Sequence, residues 1–104
     1  MTGDGAAGLL RTAAERLEHL AARTTRGDWR LGGLLASRPE VVAHAADGGT
    51  EHVAEARART GEWVAAVSPD LAAPLAAWLR AAAGNDPVDD AAADVARLLI
   101  RRLP

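Results

Sequence analysis

A chain of 104 residues with twelve basic and fourteen acidic side chains carries a formal net charge of −2, and every one of its bases is Arg. That balance excludes a general polyanion binder, which needs a basic surplus or a basic stripe. The absence of Cys excludes disulfides, thiolate metal sites and a Cys nucleophile. Much of the 49% apolar content is Ala, and with neither Phe nor Tyr the large buried side chains must come from Leu, Val, Ile and three Trp. These limits predict one modest, helix-built domain over residues 8–104.

Residues 1–7 are Met, Thr, Gly, Asp and Ala and offer little to bury, so a loose tail is expected. They lack the basic start and apolar core of a secretory signal, and no apolar run reaches membrane-spanning length. A soluble, cytoplasmic protein follows as the expectation. From about Gly8 to Arg23 helical spacing puts Leu10, Ala13, Ala14, Leu17, Leu20 and Ala21 on one face. Glu15, Arg16, Glu18 and His19 fall on the other, with Glu15 and His19 an i, i+4 pair.

A turn cluster, Thr24 to Asp28, then precedes Trp29-Arg30-Leu31, which alternates as a short strand. Gly32-Gly33 allow a hairpin into Leu34-Leu35-Ala36. A second strand-like run, Glu40 to His44, ends at the Asp47-Gly48-Gly49 turn. Thr50 reads as the N-cap of a helix to about Val67, with Val53, Ala56, Thr60, Trp63, Val64 and Val67 as its apolar stripe. Gly61 inside it costs about 1 kcal/mol relative to Ala.

Ser68-Pro69-Asp70 has the order of a cap, a first-turn proline and a dipole-facing acid, and opens a helix with the stripe Leu71, Leu75, Trp78, Leu79 and Ala82. Pro74 predicts an irregular first turn. Gly84-Asn85 ends it, and Asp86-Pro87 reads as the cap and first position of a last helix. There Val88, Ala91, Ala92, Val95, Leu98 and Leu99 are expected to face inward, leaving Ile100 and Leu103 outside the stripe. Acids at its start and Arg97, Arg101 and Arg102 at its end complement the dipole. The fold class expected is α+β, about four helices with a two- or three-stranded β element between the first and second; an all-α bundle is the alternative.

Two islands, Thr25-Arg26-Gly27-Asp28-Trp29 and Trp63 to Pro69 followed by Leu75 to Leu79, resemble a group of small uncharacterised actinobacterial and phage-encoded proteins. Members of that group carry a Thr-Pro-Gly-Pro-Trp-like turn and a later Ala-x-x-Ile-Ala-x-x-x-Pro helix end. Ala92 to Ile100 is similar to their closing helix, so the resemblance runs from about Leu10 to Arg102. Arg26 and Asp28 stand where the group has prolines. The resemblance implies a small hairpin packed on helices and a mobile-element or prophage setting, and it transfers no catalytic residue.

The metal candidates are His44, Asp47 and His52, two imidazoles and a carboxylate around the Gly48-Gly49 turn, although structural sites usually need four ligands. His19 lies opposite the apolar stripe. The hydroxyl residues lie in no nucleophile elbow beside a base, Ser68 reads as a cap, and neither glycine pair has the following Lys of a phosphate loop. No cofactor is expected, and a small metal-dependent enzyme is only the third reading. The helix, turn and helix around Val67-Ser68-Pro69 has the spacing of a helix-turn-helix, which makes nucleic-acid association the second reading, yet Asp70 to Ala77 offers no Arg, Lys, Asn or Gln to a base edge. Arg26-Gly27-Asp28 suffices as a turn. Trp63 and Trp78 are expected in the core and Trp29 half exposed. The leading expectation is a non-catalytic interaction module, self-associating or binding another protein, with Trp29, Ile100 and Leu103 as its contact residues.

Overall fold

Leu10, Ala13 and Ala14 share one side of a helix, and that side is where the largest core forms. The computed structural model describes residues 2–32 and 39–104. Helix α1 runs Thr2–Ala22, so the helix begins well before Gly8, and Ala7, expected in a loose tail, is buried against the core. The chain divides into two compact units, Met1–Arg23 with Ala72–Pro104, and Thr24–Leu71.

The first unit holds α1, α3 (Ala72–Ala83) and α4 (Asp90–Arg102), with α1 packed against both of the others. Leu10 and Leu79 are its largest fully buried side chains; around them the buried residues are Ala7, Ala13, Ala14, Ala76, Ala82, Ala83, Ala92, Ala93 and Ala96. A contact made of methyl groups lets helix axes approach to the short end of the usual 8–10 Å. Pro74 does no harm in α3, because it sits in the first turn, where N–H groups have no intrahelical acceptor. The chain enters α3 through a 3-10 turn, Pro69–Leu71, in which Leu71 N–H donates to the Ser68 carbonyl at 2.9 Å. The irregular start expected from Pro74 is therefore present.

Two expectations for α4 are corrected. The helix starts at Asp90, its N-cap being Asp89, whose carboxylate accepts from Ala91 N–H at 3.2 Å, whereas Asp86 and Pro87 lie in the preceding turn, joined by a cis peptide bond. Its inward side is also rotated: Ala92, Ala93 and Ala96 are buried and Ile100 packs on the core, while Ala91 and Leu98 are exposed. Small residues take the closest approach to the bundle, and Leu98 is left outside.

The second unit is a three-stranded antiparallel meander, β1 (Asp28–Gly32), β2 (Glu40–His44) and β3 (Thr50–Glu55), followed by α2 (Ala58–Ala66). The fold is α+β, with the sheet between α1 and α2 in the chain, which removes the all-α alternative. The hairpin return through Gly33, Leu34, Leu35 and Ala36 lies outside the described residues.

The helix expected from Thr50 is a strand as far as Glu55. The Asp47-Gly48-Gly49 turn aims it back along β2: Ala45 N–H donates to the Gly49 carbonyl at 2.8 Å, Gly48 N–H to the Ala45 carbonyl at 3.1 Å, and the Asp47 carboxylate accepts from Gly49 N–H at 2.8 Å. Gly48 supplies the positive φ of 90°. The helix that remains has nine residues, with three longer ones in the other unit.

Alternation along the strands places Trp29, Leu31, Val41 and Ala43 on one sheet face, and α2 packs across β1 and β2 with buried Gly61 and half-buried Val64 and Ala65. Gly61 is there for contact: a Cβ at that position would lie 2.5 Å from Leu31 Cδ1. A β-bulge at Val53 keeps the two sides in register, pairing Val41 with Ala54 and Val42 with His52.

Candidate functional site

The sheet and its turn fix where the three residues read as metal candidates stand. Asp47 is committed to its turn. His44 pairs with Thr50 across the ladder and His52 with Val42, so both imidazoles stand on the face opposite α2. His52 Nδ1 is 2.6 Å from a Glu40 carboxylate oxygen, an exposed diagonal contact between two neighbouring strands. Among the described residues no group of three His, Asp or Glu side chains is placed to hold a metal ion. The same face carries Asp28 and Arg30, paired at 2.7 Å, so it is a solvated, charge-matched surface.

Trp29 is half-buried, and its indole Nε1–H donates to the Thr25 carbonyl at 3.1 Å. That bond ties the strand to the preceding turn and spends the polar edge of the ring. Of the other two contact residues expected, Ile100 is half-buried against the α1 core, and Leu103 is half-buried with its N–H donating to the Leu99 carbonyl at 2.8 Å. His19 lies on the exposed side of α1, and its ring accepts from Arg23 at 3.5 Å, a partner other than Glu15.

Near that histidine, Glu15, Arg16, Glu18, Arg80 and Pro104 border an open depression of about 670 Å³. Arg80 donates to Glu18 there, and this hydrogen bond holds the Glu18 carboxyl below the usual carboxylate range and pushes the Arg80 guanidinium up. The pair is exposed, and its two charges offset each other.

What the surface does present is aromatic and apolar. Trp63 is 69% exposed and Val67, one helical turn on, is 43% exposed; Leu71 follows, also exposed, in the 3-10 turn. Trp63 lies about 160° around α2 from buried Gly61, so it points directly away from the sheet. This corrects the expectation that Trp63 is core, and Trp78, 44% exposed on α3, corrects it a second time. Both errors follow from the helix boundary and from Ala. With Thr50–Glu55 in a strand, the packed side of α2 is Gly61, Val64 and Ala65, a spacing of 3 and 4. The signal available in the sequence was Gly61 itself, a glycine kept inside a helix where only close packing rewards it.

No family model, curated protein or solved structure matches the chain. The surface geometry therefore carries the functional reading alone. Among the described residues no helix is long and apolar enough to cross a membrane.

Proposed function

We propose that this chain is a non-catalytic interaction module whose docking surface is the outward side of α2 and the turn after it, Trp63, Val67 and Leu71. The observation that carries the reading is the exposure of Trp63. Burying the largest side chain in the chain would be the most rewarding way to enlarge an Ala-built core, and it is spent outside instead. A contiguous exposed apolar strip is a recurrent mark of protein recognition, and Trp leads the residues that dominate binding energy. Arg59, Glu62 and Asp70, all exposed, supply a polar rim beside it.

Photo-crosslinking in cells that make the protein tests this. A benzophenone side chain at position 63 or 67 yields a discrete adduct heavier than the chain, and the same group at Arg16 yields none. Adducts of equal intensity from all three positions, or none from 63 and 67, contradict the reading. Once the partner is identified, Trp63→Ala weakens binding by at least about 2 kcal/mol, roughly 30-fold.

A further inference from the structure

Helix α4 also leaves a large apolar residue exposed. Leu98 is 43% exposed at the middle of the side opposite Ala92, Ala93 and Ala96. Asp94 stands one turn before it and Arg102 one turn after it, about 40° to either side and about 6 Å away along the axis. All three side chains are exposed, and Arg101 is exposed beside them.

An acid, an apolar centre and a base at equal spacing make a face that complements itself when turned end for end. We propose that a second copy of the chain docks on this face with its α4 antiparallel, about a twofold axis at Leu98. Leu98 then packs against Leu98 of the second copy, and Asp94 meets Arg102 of the second copy twice, once on each side of the axis. In the single chain Asp94 pairs with Arg97 at 3.2 Å, an exposed i, i+3 pair of little worth, so its release opposes docking weakly. One thirteen-residue helix face is smaller than the roughly 1,200–2,000 Å² of a stable interface, which makes the dimer weak and sensitive to salt. This proposal does not depend on the Trp63 strip.

Sedimentation equilibrium at low salt, with protein up to about millimolar where weak pairing shows, is the test. The mass rises with concentration from 10.8 kDa toward twice that value, and added salt lowers it. Asp94→Arg or Arg102→Asp alone weakens association by about 10-fold, since each puts like charges together twice, and the two combined restore it to within about 3-fold. Leu98→Glu abolishes association with the helical circular dichroism unchanged. A chain that stays at 10.8 kDa throughout overturns the proposal, as does a double reversal no better than the single ones. If Trp63→Ser with Val67→Ser removes the dimer while Leu98→Glu does not, the second copy docks on α2, which overturns the α4 assignment and keeps the α2 reading.

Discussion

Gly27 and Gly61 are the two positions at which a single atom decides the local structure of the sheet unit. Gly27 has φ of 117°, and a Cβ there would lie 2.9 Å from the backbone carbonyl oxygen of His44, which cannot step aside without breaking the β1–β2 ladder. Gly27→Ala therefore destabilises the chain by about 2–3 kcal/mol, from the strained φ and the clash together, measured by urea unfolding. At Gly61 the neighbour is the far end of Leu31, which can rotate away. Gly61→Ala gains about 1 kcal/mol of helix propensity against a similar packing cost and comes out near neutral, whereas Gly61→Val destabilises by about 1–3 kcal/mol. Equal effects of Ala and Val would show that Gly61 does not face Leu31. The first of these glycines was legible in the sequence as a turn; the reason for the second needs the strand it packs on.

Among elements, α1 and α3 were the most legible, because Leu10, Ala13, Ala14, Leu75 and Leu79 recur at helical spacing and end up on packed sides. The stretch from Thr50 to Val67 was not, since its apolar residues fit a helical stripe and Thr50 a cap, while the deciding pairing with β2 is long-range. The inward side of α4 was missed for a related reason: periodicity finds an apolar side, but where Ala does the packing it cannot say which of two sides is inside, and Leu98 and Ile100 exchange roles in α4. Leu79→Ala should cost about 2–5 kcal/mol, because the many Ala residues of this core are too short to fill the void. The α1–α3 ion pair makes a pH prediction. With its carboxyl held below the ordinary value by Arg80, Glu18 contributes stability that is present above the unfolded carboxylate pKa and is lost as pH falls through the lowered one. Glu18→Gln should leave an acid melting series flatter below about pH 4.5; an unchanged acid slope would show that the pair adds nothing.

For the whole molecule, the surface charges protect the sheet. The sheet has two edge strands, and both are charged: β1 by Asp28 and Arg30, β3 by Glu51 and Glu55. Such edges resist pairing with another chain, so Glu51→Val with Glu55→Val should produce sheet-type aggregation visible in light scattering, where the native chain stays clear. With the edges charged in this way, the strip on α2 carries the most exposed large apolar side chain among the described residues, Trp63. The account stands on Trp63 being outside the core. A chain with Trp29→Phe and Trp78→Phe leaves Trp63 as the single fluorophore, and acrylamide quenching of the folded, dilute protein measures its exposure. Quenching close to that of the urea-unfolded chain is the predicted result; a blue-shifted emission protected from quencher would place Trp63 in the core and contradict the proposed docking surface.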